Sequence, residues 1–247
     1  MTGSVLRALH LPGRPLILPN VWDAASALLV EQAGFPAVAT SSAAVAESLG
    51  YADHEGAPPT EMFEAVRRIT RVVSVPVTVD AEGGYGLPAA ELAGRLADIG
   101  AVGCNIEDTD HAGGGLVEIS RQADKLAALR AAAGPDLVIN ARVDVFLHAQ
   151  DHEAVLAEGL ERARAYRAAG ADCVYPILLG STDLLKAMVD AVGPVNATLL
   201  PNGPSLSTLE GAGVARISLA TGLWRLAQQS TRRTLRHLAA GISPYED

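Results

Sequence analysis

The stretch Val77-Thr78-Val79-Asp80-Ala81-Glu82-Gly83-Gly84-Tyr85-Gly86 decides the fold. Three β-favouring residues run into an acid, a second acid follows two positions later, and a glycine-rich turn comes next. Such a strand delivers carboxylates to one edge of a sheet. Two more apolar runs behave in the same way: Val102-Gly103-Cys104-Asn105-Ile106 ends in Glu107 and Asp108, and Leu137-Val138-Ile139-Asn140-Ala141 ends in Arg142 and Asp144. Charge at successive strand ends is how an α/β barrel builds a site for a hard cation and an anionic substrate.

Outward from this stretch, strand-like and helix-like segments alternate along all 247 residues. Eight short β runs are expected, over 16–20, 37–40, 75–80, 102–107, 137–142, 172–176, 195–199 and 214–218, each a continuous apolar run suited to burial on both faces. Amphipathic helices are expected between them, over 88–99, 120–133, 153–169 and 182–192. Gly34, Gly100, Gly170 and Gly213 stand where helices end, positions that favour a left-handed cap. Eight units with short connections predict a (β/α)8 TIM barrel, a single domain over 1–247. An open doubly wound sheet fits less well, because no Gly-x-Gly-x-x-Gly opens the first helix. The segment 41–60 is longer than a usual loop, and long loops at the catalytic face are commonly functional. An amphipathic helix over 223–240 can cover the barrel or dock on a partner subunit.

Composition excludes several functions. The net charge of −9 disfavours a nucleic-acid partner. No apolar run reaches the roughly 18 residues of a membrane span, and no signal peptide is evident at the N-terminus, so a cytoplasmic protein is expected. Of nineteen basic residues only Lys125 and Lys186 are lysines. Both are expected on helices away from strand ends, which argues against Schiff-base chemistry. Cys104 and Cys173 sit inside strands and read as core thiols. His148 and His152 have i,i+4 spacing without acidic ligands, and read as a solvated helix start.

The C-terminal rim of the barrel would hold Asn20, Trp22 and Asp23; Thr40, Ser41 and Ser42; Asp80 and Glu82; Glu107 and Asp108; Arg142 and Asp144; Tyr175; and Asn202. Acids this dense require a positive counterpart. Mg2+, or Mn2+ in its place, suits them, with Asp80, Glu82 and Glu107 as ligands directly or through water. Each acid alone could equally cap the following helix. Arg142 can clamp a substrate carboxylate or pair with Asp144. Thr40-Ser41-Ser42 can hold an oxyanion or cap a helix. No Gly-x-Ser-x-Gly elbow is present, which disfavours serine-hydrolase chemistry.

These motifs resemble the isocitrate lyase / phosphoenolpyruvate mutase superfamily. Asp80-Ala81-Glu82-Gly83-Gly84-Tyr85-Gly86 is similar to its metal-site strand and turn, Asn105-Ile106-Glu107-Asp108 to its next acidic strand end, and Ile139-Asn140-Ala141-Arg142-Val143-Asp144 to its Arg-bearing strand. Pro19-Asn20-Val21-Trp22-Asp23-Ala24, Thr40-Ser41-Ser42 and Leu49-Gly50-Tyr51-Ala52-Asp53 add support, and the likeness runs from about residue 15 to 220. It implies a Mg2+-dependent enzyme passing through an enolate. By this resemblance backbone groups at Ser41 and Ser42 hold the acid end of the substrate, Asp53 approaches the metal site, and the protein is a homo-oligomer, dimer or tetramer, that can exchange its C-terminal helix between subunits.

One departure matters. The lyase branches carry a catalytic cysteine in the loop after the fourth strand. Here the loop reads Thr109-Asp110-His111-Ala112-Gly113-Gly114-Gly115-Leu116-Val117, with no cysteine and no lysine. His111 can donate the proton instead, unless it is simply a solvent-exposed loop histidine. The three glycines suggest a mobile lid. The expected activity is cleavage of a C–C bond next to the carboxylate of a small 2-oxo or 2-hydroxy (di)carboxylic acid, with Arg142, Glu107, His111 and Asp53 catalytic and Trp22, Thr40, Ser41, Ser42, Asp80, Arg142 and Tyr175 around the substrate. C–P chemistry, as a phosphoenolpyruvate mutase or phosphonopyruvate hydrolase, is the alternative. A non-catalytic 2-oxo acid binding protein is the alternative of another class.

Overall fold

The computed structural model describes residues 3–245. Helix α1 (Gly3–Ala8) precedes β1 (Leu16–Leu18) and β2 (Asn20–Val21). There follow α2 (Ala24–Gln32), β3 (Val38–Thr40), α3 (Ser42–Leu49), α4 (Pro59–Thr70), β4 (Val77–Asp80), α5 (Ala89–Asp98), β5 (Gly103–Ile106), α6 (Ile119–Ala133) and β6 (Val138–Val143). The chain ends with α7 (Val145–His148), α8 (Leu156–Ala168), β7 (Cys173–Pro176), α9 (Thr182–Val192), β8 (Asn196–Thr198), α10 (Leu206–Gly211), β9 (Arg216–Ser218) and α11 (Gly222–Ala239).

Strands β2 to β7 form one parallel sheet in sequence order, and β1, β9 and β8 form a second. The two are one barrel. β1 and β2 are a single stave interrupted at Pro19, which has no N–H to give a ladder, and a parallel bridge between Val174 and Val195 joins β7 to β8. Eight staves therefore close, as expected. Asn20 stitches the seam: its Nδ2 donates to Thr40 O at 2.9 Å and its Oδ1 accepts Leu219 N–H at 2.9 Å.

The helices between the strands bury a stripe, as an outer ring requires; α4 sinks Met62, Phe63, Ala65, Val66 and Ile69. The expected cap glycines are left-handed, with φ of 86° at Gly34 and 102° at Gly170. Inside the barrel the filling is polar: Thr78, Asn105, Asn140, Asn196 and Arg216 are all buried. Helix α1 plugs the lower mouth, packing Leu6 against Leu16, Leu18, Ala37, Ala39, Val102 and Val138. That plug explains a glycine inside β5. A Cβ on Gly103 would lie 2.7 Å from Leu6 Cδ2 and 2.8 Å from Thr78 Oγ1.

Several expectations are corrected. The segment 41–60 is not all loop, because α3 occupies its first half. The helix expected from 153 begins at Leu156, so His148 and His152 do not open a helix together. His148 ends α7, and His152 lies in the turn beyond it with its ring 5.6 Å from that of Phe146. Both cysteines are buried and unbridged, and burial pushes both thiols up to about 12. Helix α11 buries no residue fully. Among the described residues no helix is long and apolar enough to cross a membrane.

Candidate active site

The ends of β4, β5 and β6 place Asp80, Glu107 and Arg142 on the floor of one cavity of about 850 Å³ at the upper mouth of the barrel. Register explains the meeting: Asp80 pairs with Asn105, and Asn105 with Asn140. The next charged side chains on the three neighbouring staves therefore rise to the same level.

Asp80 is held from several sides. Thr40 Oγ1 accepts the Asp80 N–H at 2.9 Å. Ser42 donates from Oγ at 2.8 Å and from N at 3.2 Å to Asp80 Oδ2, and Asn105 Nδ2 points at Oδ1 from 3.5 Å. The amide of Asn105 is itself oriented, since its Oδ1 takes Asn140 Nδ2 at 2.9 Å and Arg216 Nη2 at 3.3 Å. With two donors on the oxygen, the NH2 end must face Asp80.

Arg142 pairs with three acids. Nε and Nη2 grip Asp144 at 3.1 and 2.9 Å, Nη1 meets Glu107 in a close ion pair, and Asp80 Oδ1 lies 3.9 Å away. Burial opposes a charge on Arg142, but Asp144, Glu107 and Asp80 outweigh it and raise its pKa. The pairing with Asp144 considered from the sequence is thus present. Asp108 lies outside the cavity lining and braces Asp144, accepting Asp144 N–H at 2.8 Å, Tyr166 Oη–H at 2.6 Å and Arg162 Nη1–H at 3.1 Å.

His111 reaches into the cavity and makes a short contact with Glu107. Its side chain is 11 % exposed, so it is not a free loop histidine. The Glu107 bond raises the histidine's pKa, while burial raises that of Glu107 against the pull of Arg142 and His111. The loop that carries it is a compact turn in which Asp110 Oδ1 accepts the N–H groups of Ala112 and Gly113 at 3.1 and 2.8 Å.

Four expectations need amendment. Glu82 does not line the cavity: at φ 49° its carboxylate accepts Glu55 N–H at 2.6 Å, while Glu55 Oε1 accepts Tyr85 N–H at 2.6 Å. It ties two rim loops together, and burial pushes it up to about 7. Trp22 lies outside the cavity, edge-on to Trp224 with ring centroids 4.9 Å apart. Thr40 positions Asp80 without lining the cavity. Ser41 caps α3, its side chain accepting Ala44 N–H and its own N–H going to Val21 O at 3.1 Å. The backbone N–H groups of Ser41 and Ser42 are thus both spent, and Ala43 is the first-turn residue of α3 that follows them on the cavity wall. Asp53 and Tyr175 do line the cavity, with the Tyr175 hydroxyl 3.0 Å from Thr198 Oγ1.

Three residues of the site were not anticipated. Lys125 crosses from α6 to give its Nζ–H to Gly83 O at 2.5 Å. It is therefore not remote from the strand ends, and burial lowers its pKa. Asn105 and Arg216 carry the contact beneath Asp80; an arginine inside an otherwise neutral strand was the available signal.

Among the described residues no three Asp, Glu, His or Cys side chains form a ready metal cage, so Asp80, Glu82 and Glu107 would serve a metal partly through water. Mg2+ needs no such cage, because it takes one or two carboxylates and keeps several waters. Asp80, with Glu107 beside it on the same floor, fits that donor chemistry.

A closed parallel barrel whose upper rim gathers carboxylates, an arginine and a histidine defines an α/β-barrel enzyme. The sequence matches the phosphoenolpyruvate phosphomutase family over residues 6–239, and the chain belongs to it, within the isocitrate lyase / phosphoenolpyruvate mutase superfamily. The chain is 32 % identical over 236 residues to 2-methylisocitrate lyase of Escherichia coli strain K12, covering 88 % of this chain and 77 % of that one. It superposes with TM-score 0.90 and 41 % identity on a candidate phosphonomutase from Burkholderia cenocepacia J2315, covering 95 % of this chain and 99 % of that one. A phosphonopyruvate hydrolase complex with oxalate and Mg2+ superposes with TM-score 0.84 and 26 % identity over 98 % of this chain and 89 % of that one.

Proposed function

We propose that the protein is a Mg2+-dependent lyase that cleaves a C–C bond next to the carboxylate of a small 2-oxo or 2-hydroxy acid, through an enolate. The observation that carries this reading is the convergence of Asp80, Glu107, Arg142 and His111 on one cavity floor. Mg2+ held by Asp80 would supply Lewis-acid polarisation of the substrate oxygens. The chain's own residues do the rest. The N-terminal turn of α3, open at Ala43, offers the Ala43 N–H to the acid end of the substrate. Arg142 opposes the negative charge that grows on the substrate oxygen. The Glu107–His111 pair holds a proton at His111 Nε2, within the cavity, where the departing carbon fragment needs one. The Glu55–Glu82–Tyr85 tie keeps the roof loop that bears Asp53 in place.

The family name favours C–P chemistry as a second reading, and the E. coli relative, a lyase, favours C–C cleavage. A panel of oxaloacetate, 2-methylisocitrate and phosphonopyruvate separates them. Turnover of a carbon acid that depends on Mg2+ and falls by about 10³-fold or more in Asp80→Ala supports the proposal; a variant with undiminished Mg2+-dependent turnover ends it. The reading also carries a homo-oligomer, for which the outward-facing Leu235 and Leu238 of α11 are suited.

A further inference from the structure

The cavity has two unlike halves. Over β4 to β6 it is charged and cross-linked. Over β7 to β9 its wall is mainly apolar: Leu147 at the end of α7, Ile177 and Leu178 after β7, Leu199 and Leu200 after β8, and Leu226 on α11. Of the polar groups on this side, His148, Ser205, Arg225 and Gln229 are exposed at the mouth, Thr221 is half-buried, and buried Thr198 is engaged by Tyr175 and Leu178. At about 850 Å³ the whole lies high in the range of roughly 300–1,000 Å³ that encloses drug-sized ligands. A four-carbon diacid would fill only the charged end.

Backbone strain marks the apolar half independently. Leu178 has φ 63° and Ala220 φ 48°, and both line it. A bulky side chain at such a φ is costly and persists only where the surroundings enforce it. Here the enforcing group is Thr198, whose Oγ1 accepts Leu178 N–H at 3.1 Å while bonding the Tyr175 hydroxyl. The turn that brings Leu178 to the cavity is thus fastened to the residue that faces the charged half.

We propose that the acid taken by this site carries an apolar substituent longer than a methyl group, seated against Ile177, Leu178, Leu199 and Leu200 while its carboxylate end lies at Asp80 and Arg142. This rests on the function proposed above, because the charged end fixes which way the molecule enters. An apolar tail in this half releases the water that leucine side chains hold poorly, and the exposed polar rim leaves the tail's end free of any further requirement.

The test is calorimetric binding to the whole protein with Mg2+ present, using oxalate as the acid end alone and 2-methyl-, 2-propyl- and 2-pentylmalate as a graded series. Affinity is expected to rise about three- to fourfold for each added methylene. Leu178→Gly removes one wall while keeping a residue at ease with the backbone angle, and should reduce that gradient with the thermal midpoint preserved. Oxalate binding with a flat or falling series overturns the inference and leaves the function standing; a second copy of the chain occupying the apolar half would give this result. A gradient undiminished in Leu178→Gly also overturns the assignment. Failure of oxalate itself to bind removes the charged-end reading and the inference with it.

Discussion

Two buried arginines, one above the other in the same barrel, are treated in opposite ways. Arg142, at the rim, is surrounded by Asp144, Glu107 and Asp80. Arg216, in the layer beneath, has only neutral partners: Ser218 Oγ at 3.2 Å and Asn105 Oδ1 at 3.3 Å, with Nη1 unpartnered. Burial lowers the pKa of Arg216, whereas the carboxylates raise that of Arg142. The rim thus uses an arginine to balance charge. The inner layer spends an uncompensated one, whose field reaches upward through Asn105 to Asp80. The acids of the rim are thus held by charge from two levels, of which only the upper is neutralised.

The largest effect should come from breaking the upper level. Arg142→Gln leaves three acids facing one another in a buried site. Turnover should fall by about 10³-fold, the scale of losing a preorganised charge-stabilising group. Breaking a buried ion pair from one side should also lower unfolding stability by about 3–5 kcal/mol. Steady-state kinetics and urea unfolding read the two effects separately. Retained stability would mean that the rim acids are neutralised by something other than this guanidinium.

The next effect belongs to the lower level. His10 lies buried at the base, with Nδ1 2.8 Å from Leu6 O, and its pKa is lowered to about 4 by burial and then by Arg216. The unfolded chain binds a proton near pH 6.5, and the folded chain does not until about 4. Between these values the unfolded state holds more protons, so stability is full above pH 6.5 and is lost as the pH falls toward 4. The loss attributable to His10 is at most about 3 kcal/mol. His10→Gln should flatten this part of a stability-against-pH curve measured by denaturant unfolding. An unchanged slope would move the acid sensitivity to another group.

How much of this could be read beforehand follows the same division. The eight staves and the floor acids were legible because each apolar run stops at a charge, and strand direction alone carries that charge to the rim. Asp80, Glu107 and Arg142 therefore stand where the sequence puts them. The course of the backbone beyond the strand end was not legible. Glu82 is two residues from Asp80, yet its left-handed φ turns it into the roof loop. Trp22 follows a rim stave but is drawn sideways by Trp224, 202 positions away. Lys125 was placed far from the site by its helix, and its long stem bridges that distance. Leu178 and Leu199 carry no chemical signature, because an apolar residue after a strand reads as core until the cavity shows that it is a wall. Arg216 was visible as a charge inside a strand, although its lack of a carboxylate partner depends on the whole interior.

The smallest effect separates the two levels most cleanly. Arg216→Met replaces an unpaired buried cation by a side chain of similar length and no charge. Asn105 Oδ1 keeps its bond from Asn140, so no acceptor is orphaned. Stability should change by less than about 1 kcal/mol or rise, because burying an uncompensated charge is itself unfavourable. The same substitution should weaken the site. Without the Arg216 contact the Asn105 amide is held by one donor, its hold on Asp80 slackens, and Mg2+ affinity and turnover should drop together by about tenfold. It should also steepen nothing at His10: removing a neighbouring positive charge raises the histidine's folded pKa, so the acid-dependent loss of stability becomes shallower. Three readouts thus follow from one change: unfolding, Mg2+ titration and the pH slope. If Arg216→Met destabilised the fold as severely as Arg142→Gln, the lower arginine would be a structural partner like the upper one, and the asymmetry between the two layers would be lost.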